Sequence, residues 1–136
     1  MYTLKNHVLD QVEYIKSPNY SERLLGVEPT LLVIHNISLP PGKFGGGYVT
    51  KFFLNQLDVS VHPYFKEIEN LKVSSHLYIE RSGSVIQFVD FSKKAWHAGK
   101  SEFQGRRDCN DFSIGIELEG TDTDPYTEYQ YHSLTN

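Results

Sequence analysis

The sequence has only one cysteine, Cys109, among its 136 residues. No disulfide can therefore form within the chain, which agrees with a reducing compartment. No segment approaches the ~18 apolar residues of a membrane-spanning helix, and the residues after Met1 lack the apolar core of a signal peptide. These absences predict a cytosolic protein that has no membrane partner.

Positive charge is also scarce, since 13 Lys and Arg stand against 17 Asp and Glu for a net charge of −4. No basic stripe is present, which argues against a nucleic-acid partner. A hydrophobic content of 39% and an aromatic content of 13% are typical of a folded globular chain. The length suffices for one domain with its own core.

The segment 112–119 carries the strongest local pattern in the chain. Apolar side chains at 112, 114, 116 and 118 alternate with Ser113, Gly115, Glu117 and Glu119. A strict period of two predicts a half-buried β-strand. The second face combines two very small residues with a carboxylate, and that space suits a substrate or a metal-bound water.

The other elements predict a single α/β domain with a mixed central sheet flanked by helices. The pattern indicates a strand at 31–34 that is buried on both faces and ends at His35, a helix at 48–57, a hairpin at 76–89 around Ser82-Gly83, a loop at 92–111 and a helix at 126–134.

Composition alone leaves the roles of several residues open. His35 at the end of a strand is either a hydrogen-bonded core histidine or a metal ligand or general base. Trp96, in a predicted loop, either covers the core or offers a stacking surface to a sugar or peptide. His76 is more simply a satisfied strand histidine, and Cys109 a buried, inert thiol.

Several segments taken together resemble one known family, the 1,6-anhydro-N-acetylmuramyl-L-alanine amidases of the AmpD type. The similarity runs from about residue 25 to the end of the chain, with the segments in the same order and at the same spacing. They are VIHNISLPPG at 33–42, KVSSH at 72–76, AWHAG at 95–99, QGR at 104–106 and CNDFSIGIELEGTD at 109–122.

The resemblance implies a zinc hydrolase of peptidoglycan recycling. Its substrate would be an anhydro-muropeptide, cut at the amide between the lactyl group of N-acetylmuramic acid and L-alanine. His35 matches the first zinc ligand of the family, and Glu117 matches its catalytic carboxylate. A carboxylate near a metal-bound water can take its proton and pass it to the leaving amine.

The resemblance also implies a set of substrate-binding residues. Trp96 and His97 match residues that line the substrate groove, and Asn36 follows the predicted zinc ligand. Lys72 and Arg106 lie where we expect recognition of the peptide carboxylates, although relatives usually carry Arg where this chain has Lys72. Lysine lacks the bidentate fork of arginine, so peptide recognition is expected to differ. We expect a monomer.

One expected feature of the family is missing from this sequence. The second and third zinc ligands of the family belong to a motif downstream of Glu117 that the printed chain does not contain. The sequence therefore predicts an amidase domain over residues 1–136 that is incomplete at its C-terminus, with one of three zinc ligands. The alternatives are a zinc-free muropeptide-binding module and an inactive, truncated or decayed fragment.

Overall fold

A five-stranded mixed sheet forms the centre of the computed structural model, which describes residues 1–136. The strands are β1 (Leu4–Lys5), β2 (Val8–Leu9), β3 (Glu13–Tyr14), β4 (Tyr20–Glu22), β5 (Leu31–Ile37), β6 (Leu77–Ile79), β7 (Val85–Gln87), β8 (Lys93–Ala95), β9 (Glu102–Phe103), β10 (Arg106–Arg107) and β11 (Ser113–Glu119). The helices are α1 (Tyr48–Phe53), α2 (Pro63–Glu67) and α3 (Glu128–Thr135), with a 3₁₀ turn at Cys109–Asp111. The central sheet has the order β3-β7-β6-β11-β5, which confirms the predicted α/β class.

Strand β11 lies second from one edge of the sheet and is parallel to both of its neighbours, β5 and β6. Its seven residues confirm the strand predicted from the alternating pattern. The register places Glu117 between His35 on β5 and Tyr78 on β6. Residues opposite one another in a sheet point to the same face, so these three side chains share one face.

The two faces of the sheet contribute to separate apolar clusters. The face of Glu117 joins the larger cluster, in which Phe53, Phe65 and Phe88 are almost completely buried. The other face carries Ile116 and Leu118, and it packs with β6 and β7 in a cluster of five buried residues. This division keeps the polar residues of β11 on the side of α1 and α2.

Strand β5 differs from the prediction, because it is an edge strand and not a central one. It extends to Ile37, and its residues alternate between half-buried and exposed. Leu32 is 56% exposed and Ile34 is 42% exposed. The expectation of burial on both faces was therefore wrong, since the apolar run 31–34 is covered on one face only.

For most of the remaining elements the sequence predicted the kind of secondary structure correctly but not its bounds. The hairpin of β6 and β7 is confirmed, whereas helix α1 stops at Phe53 because Asn55 adopts a left-handed φ of 59°. Helix α3 begins after Thr127, whose hydroxyl caps it. The predicted loop 92–111 was wrong in part, because it contains β8 and the short β9–β10 hairpin. None of the helices has the length and apolar character required to cross a membrane.

Candidate functional site

The Glu117 carboxyl group is buried and incompletely paired. Its Oε2 atom is the one buried side-chain oxygen or nitrogen that has no hydrogen-bond partner. Burial raises the pKa of Glu117 to about 8, because the low-dielectric surroundings disfavour the charged form. A carboxyl group with such a pKa can gain and lose a proton close to neutral pH.

His35 lies beside Glu117 in the register and belongs to a chain of three hydrogen-bonded side chains. Its Nε2 atom is 2.9 Å from Nδ1 of His97, and Nε2 of His97 is 3.0 Å from the Ser113 hydroxyl. The two imidazole planes meet at 71°. Burial lowers the pKa of both histidines, to about 3 for His97, so the imidazoles are neutral at pH 7.

The space beside Glu117 is used differently from the prediction. The small residues of β11 were expected to leave room for a substrate or a metal-bound water, but the imidazole of His97 lies over Gly115. A Cβ atom added at Gly115 would lie 2.4 Å from both Cγ and Cδ2 of His97. Glycine is therefore required here for close approach of the histidine ring.

An open cleft of about 410 Å³ adjoins the two histidines. It runs along the edge strand β5 and is closed on one side by residues 101–103 of the β9 region and by Cys109. Phe103 is 46% exposed at this cleft. Cys109 is buried and unpaired, as the sequence predicted. The cleft gives a ligand access to His35 from the open edge of the sheet.

Asn36 and Trp96, two of the predicted substrate-binding residues, are adjacent in sequence to His35 and His97. Their side chains form hydrogen bonds to other residues of the protein. Asn36 follows His35 and points to the opposite face of β5, where its amide donates a hydrogen bond to Asp122 (2.8 Å). Trp96 is half-buried, and its indole N–H donates to the Ser21 hydroxyl (2.7 Å). Their roles in substrate binding stay predictions.

The two predicted cationic residues, Lys72 and Arg106, are both exposed. Lys72 is exposed and lines a separate, smaller cleft with Phe52 and Ile68. Arg106 is exposed on the β9–β10 hairpin, with its guanidinium carbon 3.9 Å from the centroid of the Phe112 ring. The structure thus brings together Glu117, His35 and His97. It places Lys72 at a separate cleft and Arg106 opposite Phe103, which lines the cleft beside His35.

Two further residues hold the backbone of the site. Asn110 was not singled out from the sequence, whereas His76 is the hydrogen-bonded histidine that the sequence predicted. Asn110 accepts hydrogen bonds from the backbone N–H groups of His97 (3.1 Å) and Ala98 (2.9 Å). Nδ1 of His76 accepts one from the N–H of Gly115 (3.0 Å). The alternation of β11 already placed Ser113 on the face of Glu117, but no local pattern distinguishes Asn110 from an ordinary loop residue.

The buried His76 predicts a loss of stability in acid. Burial lowers the pKa of its imidazole to about 4, from an ordinary value of 6.5. The unfolded chain therefore binds this proton first, so the stabilisation is complete above pH 6.5 and is lost as the pH falls to 4. The difference corresponds to roughly 3 kcal/mol. Urea unfolding at pH 7 and pH 4.5 measures it only as a difference between the wild type and a variant without this imidazole, because His97 and Glu117 also affect stability over this pH interval.

The matched control for this prediction is His76→Asn, which keeps a polar group near Nδ1 and removes the titration. We expect this variant to be less stable at pH 7 but to lose clearly less stability between pH 7 and pH 4.5. An unchanged loss on acidification would show that His76 is not responsible.

The zinc ion implied by the resemblance requires more ligands than these residues supply. A catalytic zinc takes three protein ligands and keeps one position open. Nowhere in residues 1–136 do three or more His, Cys, Asp or Glu side chains form a group that could hold a metal ion. The residues present therefore do not fit a complete zinc site, and we derive no catalytic step through zinc.

Comparison with protein families identifies the class to which this fold and site belong. The model of the N-acetylmuramoyl-L-alanine amidase family matches residues 25–136. The chain therefore belongs to the N-acetylmuramoyl-L-alanine amidase family, as the resemblance implied.

The most similar relatives that we compared are amidases of one type, AmpD. The chain is 56% identical to the 1,6-anhydro-N-acetylmuramyl-L-alanine amidase AmpD of Escherichia coli over 88% of this chain and 66% of that protein. It is 52% identical to AmpD of Haemophilus influenzae over 96% of this chain and 71% of that protein. It therefore spans about two thirds of the length of these curated relatives.

Solved structures agree with the fold. A crystal structure of a selenomethionine AmpD derivative superposes with a TM-score of 0.95 at 52% identity, covering 97% of this chain and 74% of that one. The amidase LysC from Clostridium intestinale superposes with a TM-score of 0.58 at 15% identity, over 92% of this chain and 70% of that one. The second likeness concerns the fold alone.

Proposed function

We propose that residues 1–136 form an amidase domain that hydrolyses the amide between (1,6-anhydro-)N-acetylmuramic acid and L-alanine of muropeptides. The observation that carries this proposal is the buried, unpartnered Glu117 Oε2 beside His35, in a chain of the amidase family. Its relatives carry this activity in their names. We also propose a cytosolic monomer that acts in peptidoglycan recycling, in agreement with the lone cysteine.

Hydrolysis of the amide requires two proton transfers, and one residue can carry out both. Water adds to the amide carbonyl and must lose a proton, the C–N bond breaks, and the leaving nitrogen must gain a proton. The ionised form of Glu117 can accept the first proton and return it to the nitrogen, and with a pKa of about 8 a fraction of the carboxyl group is ionised near neutral pH. The products are the free lactyl carboxylate of the sugar and a peptide with a free L-alanine amine.

His35 belongs to this proposal as a metal ligand, in line with the resemblance. Zinc, when bound, would polarise the carbonyl and acidify the water. A single histidine cannot hold zinc with useful affinity, so the proposed metal would need ligands beyond those that this chain brings together. Asn36, Lys72, Trp96 and Arg106 are proposed to contact the sugar or the peptide.

The test is an assay of the purified chain with an anhydro-muropeptide, with and without added zinc. With zinc in excess, we expect mass spectrometry to detect 1,6-anhydro-N-acetylmuramic acid and a free stem peptide in equal amounts, but only at a slow rate, because residues 1–136 bring together no complete set of zinc ligands. Saturable binding of the same compound without either product would favour the alternative of a muropeptide-binding module. Neither turnover nor binding would contradict the proposal for this chain and favour an inactive fragment.

A further inference from the structure

We propose that His97 is a positioning residue, which holds the imidazole of His35 through its Nε2 atom and fixes the proton of His35 on Nδ1. The resemblance had placed His97 in the substrate groove. The inference depends on the proposed function only for its activity measurement, because the geometry concerns the two rings and Ser113.

Three contacts hold His97, one to its backbone and two to its ring. Its backbone N–H is held by Asn110 (3.1 Å). Its Nε2 meets the hydroxyl of Ser113 (3.0 Å). Its flat face lies on Gly115, where a Cβ atom would come within 2.4 Å of the ring. A ring held in this way has little freedom to turn, so its Nδ1 atom remains aimed at His35.

Gly115 is itself held in place from the opposite edge of β11. Its N–H donates to Nδ1 of His76, which is completely buried. Nδ1 of His76 must then be unprotonated, and its Nε2–H donates to the carbonyl of Lys93 (3.0 Å). Nη2 of Arg23 also lies 3.3 Å from this Nε2, but with this tautomer the two groups are both donors and do not form a hydrogen bond. Gly115, against which His97 rests, is therefore held by a hydrogen bond to a buried side chain on the β6 side of β11.

The contact between the two histidines occupies only one nitrogen of His35. Its Nε2 lies 2.9 Å from Nδ1 of His97, whereas its Nδ1 forms no hydrogen bond to the protein. Two neutral imidazoles share a single proton in such a contact, so one ring donates and the other accepts. The direction of this bond decides which nitrogen of His35 carries the hydrogen.

Ser113 sets that direction. It is completely buried, and its hydroxyl meets only His97. A buried hydroxyl that donates to nothing costs about 1–3 kcal/mol. The Ser113 hydroxyl therefore donates to Nε2 of His97, Nδ1–H of His97 donates to Nε2 of His35, and the remaining hydrogen of His35 lies on Nδ1. A ligand at the open side of His35 meets Nδ1, and an electrophile that binds there must displace this hydrogen.

The test uses ring-nitrogen NMR of the ¹⁵N-labelled chain at pH 7. We expect a protonated Nδ1 and an acceptor Nε2 in His35, with a scalar coupling across the hydrogen bond to Nδ1 of His97. Ser113→Ala removes the donor that sets the direction, so the Nδ1 signal of His35 should move towards its unprotonated position. Absence of the coupling, or a protonated Nε2 in wild-type His35, would overturn the inference.

Two substitutions of His97 test whether the residue positions His35 or only fills the space between His35 and β11. His97→Asn keeps a polar group at the Nδ1 position, towards His35, whereas His97→Gln keeps one at the Nε2 position, towards Ser113. We expect His97→Gln to lower kcat about 10- to 100-fold with little change in KM, as for other groups that orient a functional histidine. His97→Asn should retain most of the kcat.

Equal losses in both variants would show that His97 only fills space and would overturn the inference. The NMR spectra keep the test independent of turnover. If the wild-type chain shows the expected coupling and tautomer but no hydrolysis, the proposed function fails for this chain while the role of His97 stands. If hydrolysis occurs without the coupling, the inference fails and the proposed function stands.

Discussion

Replacing Glu117 by glutamine is expected to lower kcat for an anhydro-muropeptide by about 10²- to 10⁴-fold, the usual contribution of a positioned proton-transfer group. The amide keeps the size of the side chain but cannot accept the proton of the attacking water. Binding should persist, because the substitution changes little in shape. Steady-state kinetics together with calorimetric binding of the intact substrate would distinguish the two effects.

The same substitution should also change how stability depends on pH. Burial raises the pKa of Glu117 from about 4.5 in the unfolded chain to about 8. Its protonated form stabilises the fold fully below pH 4.5, and this stabilisation is lost as the pH rises through 8. The loss amounts to a few kcal/mol. Glu117→Gln cannot ionise, so its free energy of unfolding should fall less than that of the wild type between pH 6 and pH 9.

Glu119→Gln is the matched control, because Glu119 lies two residues further along the same face of β11. Its carboxylate oxygens accept hydrogen bonds from the backbone of Gly45 (2.5 Å) and Arg81 (2.9 Å). We expect its replacement to reduce stability and leave turnover measurable. If Glu119→Gln abolished turnover and Glu117→Gln did not, the assignment of the proton-transfer role to Glu117 would be wrong.

The strand of Glu117 could be predicted because its information is local. An alternation of apolar and small or polar residues has one simple structural solution, a strand with two unlike faces. The β6–β7 hairpin is local in the same sense, since Ser82-Gly83 separates two strand-forming runs. In both cases, residues close in sequence determine the pairing or the orientation.

The position of a strand in its sheet is not local information, which explains the error in β5. An apolar run is buried on both faces only if other elements cover both faces of its strand. The residues 31–34 themselves contain no information about which elements pack on the sheet. The family resemblance singled out His35 and Glu117, and the register does set them side by side. It could not show that His97 would fold over Gly115 and occupy the space expected for a ligand.

Arg23 is a further residue that sequence analysis could not find, and its replacement is expected to have the largest effect on stability. Its guanidinium group donates to the carbonyl oxygens of Asp111 (2.8 Å) and Ser113 (2.8 Å), and at 3.3 Å to those of Asn110 and Phe91. Those of Asn110, Asp111 and Ser113 belong to the turn before β11 and to its first residue, whereas Phe91 precedes β8. Arg23 therefore fixes the beginning of the strand that carries Ser113, Gly115 and Glu117.

Arg23→Met keeps the aliphatic stem but leaves these carbonyl groups without their charged donor. Hydrogen bonds to a charged group contribute about 1.5–3 kcal/mol each and are not additive, so we expect a loss of roughly 3 kcal/mol. For a chain of this size the melting temperature should fall by about 10 °C. Arg107→Met is the control, since Arg107 forms only an exposed ion pair with Glu102, and its loss should cost under about 0.5 kcal/mol. Equal stability of the two variants in urea unfolding would show that the carbonyl groups find other partners and that Arg23 does not anchor β11.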